Sequence, residues 1–258
     1  MTGPDTPIFE ARGLAKEFAG RQGRVRALRG VDVALHQGQS LGIVGESGAG
    51  KSTILNILLG IELPTAGTIM FHGEALDTGS RAQMARFRRE VQAVFQDPKT
   101  SLDPRMRVGS IVAEPLRSLR IPGDHAVQVR DMLTAVGLDP AVVSRYPSEF
   151  SGGQRQRIAI ARALAPSPRV LIADEPVSAL DVSVRVQILD LLETLKTQRG
   201  LTLVLVSHDL AVVGRLCDQI IVLRAGRVVE SGATRAIFSD PRSPYTRKLL
   251  DSVPSLPV

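Results

Sequence analysis

Cysteine is almost missing: Cys217 is the only one in 258 residues. That excludes an intrachain disulfide and any zinc or iron–sulfur centre built from cysteines, and it fits the reducing cytosol best. Long hydrophobic runs are missing too. The longest, around Ile54 to Ile61, is broken by Asn56 and falls far short of the roughly 20 residues that a membrane-spanning helix needs. Residues 1–7 lack the basic-then-apolar order of a secretory leader, so none is expected. No stretch is low in complexity and no internal repeat is visible, so one unit and not a fused pair is expected. Aromatic residues make up only 3% of the chain, and no basic run is interleaved with them. The net charge of +6 therefore reads as an arginine-rich surface, not as a nucleic-acid footprint. Its densest patch, residues 81–89, follows Ser80-x-x-Gln83, which has the spacing of a helix capping box and marks a solvated helix.

A hydrophobic content of 43% is enough to bury a substantial core. Residues 8–44 read mostly as strands and tight turns, with Val25–Leu28 and Val31–Leu35 flanking a turn at Arg29-Gly30. Leu41–Val44 is a short buried strand, and a helix is expected from Lys51 to about Leu59, ending at Gly60. A strand with its turn follows at Gly67–Gly73, and another at Val91–Phe95 stops at Gln96-Asp97-Pro98. From Pro98 to about Tyr146 the texture changes to helical patterns, Ile111–Leu119 and Ala126–Val136, separated by Pro, Gly and Asp. Then strands and helices alternate again: a helix over Gly153–Leu164, a strand at Val170–Ala173, a helix over Val182–Thr197 and a strand at Leu201–Val206. A hairpin, Ile220–Leu223 with Val228–Glu230, closes the series. This alternation predicts a mainly parallel sheet covered on both faces, with a helical lobe inserted into it.

Two segments carry chemistry on their own terms. Gly45-Glu46-Ser47-Gly48-Ala49-Gly50-Lys51-Ser52 matches a phosphate loop and stands where such a loop must, between a strand and a helix. Its glycines let backbone N–H groups turn toward phosphates, and the helix start adds its dipole. Lys51 can reach β- and γ-phosphates, and Ser52 offers a hydroxyl to Mg²⁺. The second segment, Val170-Leu-Ile-Ala-Asp174-Glu175, is an apolar strand ending in two carboxylates. A carboxylate at a buried strand end is costly unless it meets a cation. Asp174 is thus expected at Mg²⁺ and Glu175 as the base that polarises water. Together they describe a site that holds a nucleoside triphosphate with Mg²⁺ and hydrolyses it.

Ser151-Gly152-Gly153-Gln154, preceded by Phe150 and standing upstream of that strand, is similar to the signature of the ATP-binding-cassette (ABC) ATPases. The resemblance spans residues 8 to about 250. It implies an α/β P-loop NTPase core of the RecA-like kind, with an antiparallel amino-terminal β subdomain and an inserted helical subdomain. The expected divisions are an ATP-binding domain over residues 8–235, with the helical insertion at about 98–165, and a short tail over 236–258. It implies nucleotide contacts from Gly45 through Thr53 and from Ser151, Gly152, Gly153 and Gln154, the latter four acting on ATP held by a second cassette. Gln96 would touch Mg²⁺ and the attacking water beside Ser52 and Asp174. His208 would contact the γ-phosphate, and Ser178–Asp181 would face the opposite subunit. Phe18 is the candidate for stacking on adenine, with a core phenylalanine as the competing reading. The catalytic set is then Lys51, Gln96, Glu175 and His208.

Ser239-Asp-Pro-Arg-Ser-Pro244-Tyr245-Thr246, with Gln96-Asp97-Pro98 and Ser101-Leu-Asp-Pro104, resembles the subgroup that serves peptide and nickel importers, Ser243 standing where histidine is usual. That resemblance implies a motor at the cytoplasmic face of a membrane, partnered by transmembrane permease subunits, a second copy or paralogue of the ATPase and a separate solute-binding protein. No nucleic acid is expected. A soluble ABC ATPase acting on nucleic acid or ribosomes remains the alternative, and no residue names the cargo.

Overall fold

A computed structural model describes residues 6–20 and 23–252. The first five residues and the last six residues of the expected tail lie outside the described residues. The chain forms two compact units, one from the residues up to Met84 and from Thr202 onward, the other from Ala85–Leu201. Through the first unit it runs β1 (Phe9–Gly20), β2 (Gly23–Leu35), β3 (Ser40–Val44), α1 (Lys51–Leu58), β4 (Ala66–Phe71) and β5 (Glu74–Ala75). It enters the second within α2 (Arg81–Glu90) and makes β6 (Val91–Val94), α3 (Pro98–Ser101), α4 (Val108–Ser118), α5 (His125–Ala135), two 3₁₀ turns, α6 (Gly152–Leu164), β7 (Val170–Asp174) and α7 (Val182–Arg199). It returns for β8 (Thr202–Val206), α8 (Leu210–Leu216), β9 (Gln219–Arg224), β10 (Arg227–Ala233), α9 (Thr234–Ser239) and α10 (Pro244–Asp251).

In the first unit β1 is the centre of an antiparallel sheet, paired with β2 on one edge and β4 on the other. Phe9 and Phe71 stand opposite each other across that pairing with ring centroids 5.1 Å apart, and both are buried. The turn expected at Arg29-Gly30 is not a turn. Gly30 takes φ 78° within a continuous strand, where the pairing register slips between Val31 and Arg29. The glycine is used for a bulge, which lets one long strand change register without ending. β3, buried along its whole length, lies parallel between β8 and β9, and β10 returns antiparallel to β9. Unbroken apolar runs such as Leu203–Val206 are what a strand covered on both faces requires. The start of β3 is fastened by Ser40, fully buried, whose Oγ donates to Asp218 Oδ2 at 2.6 Å. Asp218 N–H in turn donates to Ser40 Oγ at 3.0 Å.

The second unit contains the parallel pair β6 and β7, in register from Val91↔Val170 to Val94↔Ala173. Between them the described residues are helical or turning, with α4 and α5 one or more residues earlier than their sequence patterns suggested. Asp124 caps α5 by accepting from Ala126 N–H, so the helix starts before its first apolar residue. Val112 and Leu116 on α4, Val129 and Leu133 on α5 and Ile158 on α6 are all buried, forming the unit's helical core. The α/β class with an antiparallel amino-terminal sheet thus holds. No helix among the described residues is long and apolar enough to cross a membrane.

Candidate functional site

The phosphate loop leaves β3 and enters α1. Gly45, Gly48 and Gly50 take φ values of 154°, 78° and 109°, a region that L side chains rarely adopt. Two of them are also forced by crowding. A Cβ on Gly45 would lie 2.3 Å from the Leu223 carbonyl, and one on Gly50 2.7 Å from that of Ala27. Glu46, Ser47 and Gly48 are exposed, and α1 begins with no side-chain cap, so its first N–H groups have no partner within the helix. Lys51 is buried, and its Nζ donates to the carbonyls of Gly45 at 2.7 Å and Glu46 at 3.0 Å. The lysine that the sequence assigns to phosphate thus belongs to the loop's own frame.

β8 ends beside this loop. Its register with β3, Ile43↔Val206, continues through the bond from Ser207 N–H to the Ile43 carbonyl at 3.2 Å, bringing His208 level with the loop's start. Ser207 is buried and accepts from Asp209 N–H, Asp209 caps α8, and His208 between them is exposed. Phe18 lies in the same unit on β1, half-buried, with Lys16 Nζ 5.0 Å from its ring centroid.

In the second unit the register of β6 and β7 explains a long-range pair. Gln96 and Glu175 each follow the last matched residues, Val94 and Ala173, by two positions, and Gln96 Nε2 donates to Glu175 Oε2 at 3.1 Å. Glu175 is half-buried and has φ 42°, a left-handed conformation for a non-glycine residue. Its carbonyl accepts from Ser178 N–H at 3.2 Å and Ser178 Oγ at 3.1 Å, so a turn through Pro176 holds the unusual backbone in place. Asp174 closes β7, partly exposed.

Ser151 is the N-cap of α6 in a reciprocal capping box: Gln154 N–H donates to Ser151 Oγ at 3.3 Å, and Ser151 N–H donates to Gln154 Oε1 at 3.0 Å. The ordinary helix-start role of this tetrapeptide is thus realised. Its two glycines differ. A Cβ on Gly153 would lie 2.3 Å from Val184 Cγ1, so α6 and α7 approach only because the residue is glycine, whereas one on Gly152 would make ordinary contact at 3.6 Å. Asp181 caps α7. The Val184 N–H foremost, then the Ser183 hydroxyl, bond its carboxylate and hold its pKa below the usual range. At residue 80 only half of the expected capping box forms. Ser80 accepts from Gln83 N–H, but the Gln83 side chain accepts from Asp77 N–H.

One residue of the loop's surroundings escaped the sequence reading. Tyr245 on α10 is buried, and its hydroxyl accepts from Glu46 N–H at 3.2 Å. The importer-like motif flagged Tyr245 as part of a pattern, but nothing local tied it to a loop 199 residues away.

A buried lysine held in a glycine loop between a parallel strand and an uncapped helix defines a P-loop nucleotide-binding protein. The chain matches the ABC transporter family model over residues 28–178, and a second model, the oligopeptide/dipeptide transporter C-terminal region, over residues 229–257. It is 46% identical to a Brucella ovis protein named a peptide import ATP-binding protein, over 97% of this chain and 80% of that one. It is 48% identical to the glutathione import ATP-binding protein GsiA of Salmonella typhi, over 96% of this chain and 41% of that one. Among solved structures it resembles cbiO1 of Clostridium perfringens, part of the ABC transporter complex cbiONQ (TM-score 0.79, 28% identity, 92% of each chain). It also resembles the ATP-binding cassette MJ0796, a dimer bound to ADP and Pi (TM-score 0.79, 30% identity, 88% of this chain and 99% of that one). The chain belongs to the ABC transporter family and is an ATPase of that kind.

Proposed function

We propose that this ATPase is the motor of an importer, coupling ATP binding and hydrolysis in a pair of cassettes to uptake of peptides or another small solute through a membrane permease. The observation that supports the catalytic half is the bond from Gln96 to Glu175, which fixes the orientation of a carboxylate at a strand end, the kind of group a general base requires. The import half is supported by the carboxy-terminal family match and by the Brucella and Salmonella relatives.

In this reading Lys51 exchanges its two carbonyl partners for the β- and γ-phosphates, and N–H groups within residues 45–53, other than that of Glu46, bind phosphate oxygens. The hydroxyl, amide and carboxylate oxygens of Ser52, Gln96 and Asp174 suit a hard cation. Mg²⁺ held there would neutralise charge on the β- and γ-phosphate oxygens. Glu175 takes a proton from the attacking water, Gln96 orients that carboxylate, and His208 donates to the γ-phosphate. Ser151 and Gly153 act on the nucleotide of the partner cassette, a second copy or a paralogue. Phe18 offers a ring to adenine, with Lys16 already near it. A separate solute-binding protein supplies the cargo, and the motor works at the cytoplasmic face of the membrane.

The test is recovery of this chain from gently solubilised membranes of its host, followed by mass spectrometry of what accompanies it. Two permease subunits, with or without a second ATPase, are expected. Recovery only in the soluble fraction with ribosomes or nucleic acid would overturn the transport reading and leave the ATPase.

A further inference from the structure

The peptide unit joining Gly45 to Glu46 is held at both ends. Its carbonyl accepts from Lys51 Nζ at 2.7 Å, and its N–H donates to the Tyr245 hydroxyl at 3.2 Å. No other backbone N–H of the loop from Glu46 to Gly50 is bonded to a described side chain; Ala49 N–H goes to the Glu46 carbonyl at 3.1 Å. The tyrosine is itself well fixed. It is buried, and the Arg224 guanidinium lies 4.8 Å from its ring centroid. The segment that carries it is tied down just upstream, where the Glu230 carboxylate accepts from Arg242 N–H at 2.8 Å and Ser243 N–H at 3.1 Å. A strap thus runs from β10 through Arg242 and Ser243 into α10 and ends in one hydroxyl at the mouth of the phosphate loop.

We infer that Tyr245 is a positioning residue for nucleotide binding: its hydroxyl orients the Gly45–Glu46 peptide and so keeps the loop in its phosphate-ready shape. The inference rests on the reading of residues 45–53 as the ATP phosphate site. Lys51 is shared between that peptide and the phosphates. When the ammonium turns to nucleotide, the Gly45 carbonyl loses its partner and the Tyr245 bond becomes the remaining side-chain tether of the peptide. The contribution of such a bond is therefore greater in the nucleotide-bound protein than in the free one. Gly45 has the φ freedom of glycine, so an untethered peptide can rotate, and every N–H that follows is then misdirected. A carboxy-terminal helix outside the alternating strands and helices in this way becomes part of the nucleotide site.

The experiment is a fluorescence titration of the purified full chain with a labelled ATP analogue in Mg²⁺, together with steady-state turnover and thermal midpoints with and without ATP. Four proteins are compared: wild type, Tyr245→Phe, Glu230→Gln and Lys51→Ala. Tyr245→Phe keeps the ring under Arg224 and removes only the hydroxyl. Its affinity is expected to weaken by roughly 2- to 10-fold, the range for one neutral hydrogen bond, with KM rising and kcat nearly unchanged. Its midpoint without ATP is expected to stay at the wild-type value while its stabilisation by ATP shrinks. Glu230→Gln loosens the strap at its other end and is expected to lower the midpoint without an equal loss of affinity. Wild-type affinity in Tyr245→Phe overturns the inference. So does a loss of affinity that follows the loss of stability equally in Tyr245→Phe and Glu230→Gln, because that pattern means packing alone. Lys51→Ala separates the two claims: wild-type binding in that variant removes the phosphate-site reading itself, whereas lost binding there with an unaffected Tyr245→Phe removes only the role of the tyrosine.

Discussion

Substitutions at Glu175 separate turnover from stability, because the side chain and the backbone of this one residue do different things. Glu175→Gln keeps an oxygen that can accept from Gln96 Nε2 but removes the basic carboxylate. A positioned general base contributes about 10²- to 10⁴-fold, so turnover is expected to fall by that factor, about 3–5 kcal/mol on the barrier, while ATP still binds. The backbone makes the opposite demand. At φ 42° a residue with a Cβ carries a penalty of about 1–2 kcal/mol that glycine escapes. Glycine gives back about 0.4–1 kcal/mol through its freer unfolded chain. Comparing Glu175→Gly with Glu175→Ala cancels the lost carboxylate, leaving glycine ahead by about 0.5–1 kcal/mol. For a chain of this size that is a thermal midpoint higher by about 1–4 °C. The assays are phosphate release, equilibrium ATP binding and thermal melts of the three variants. Turnover of Glu175→Gln within tenfold of wild type would refute the assignment of the base. An alanine variant that melts at or above the glycine variant would refute the argument from the left-handed backbone.

Three further outcomes are expected. Gly153→Ala drives a methyl against Val184 Cγ1 and should cost about 1–3 kcal/mol by overpacking. Gly152→Ala should leave the melt unchanged, and adding Val184→Ala should restore Gly153→Ala; no rescue in that double variant would place the clash elsewhere. Ser40→Ala removes a 2.6 Å bond to the Asp218 carboxylate and an acceptor for its N–H, and should cost about 1.5–3 kcal/mol. A melt within one degree or so of wild type would show the clamp to be dispensable. Chelation with EDTA should stop phosphate release and added Mg²⁺ should restore it; turnover that persists in EDTA would remove the cation from Ser52 and Asp174.

What could be read from the sequence follows the range of the interactions involved. The phosphate loop was legible because its glycines, lysine and flanking strand and helix lie within a few residues of one another. The same holds for β7, whose apolar run needs no partner to be recognised. Gln96 could be named only by resemblance, since its link to Glu175 depends on how two strands separated by more than seventy residues align. Nothing near residue 175 announced a left-handed glutamate. That conformation is held by Ser178 through the turn at Pro176, and residues of this kind persist only where the surroundings impose them. Gly30 misled for a related reason. Its positive φ is the same in a turn and in a bulge, and the pairing with β1 decides between them. Tyr245 was beyond reach, because its meaning lies in the Glu46 N–H at the far end of the sequence.

The pairing of β6 with β7 has a consequence for how such a protein can change over generations. The relation between Gln96 and Glu175 is set by two short neighbouring strands, while everything from residue 98 to residue 169 is a detour that leaves one strand and returns to the other. Helices in that detour can be lengthened, resurfaced or exchanged for those of another lineage, provided that the chain re-enters at Val170 in the same register. The surface of the detour can therefore change by mutation while the relation between Gln96 and Glu175 is inherited intact. A chimera that grafts a relative's residues 98–145 onto this chain, leaving Ser151–Gln154 in place, should keep its basal ATPase.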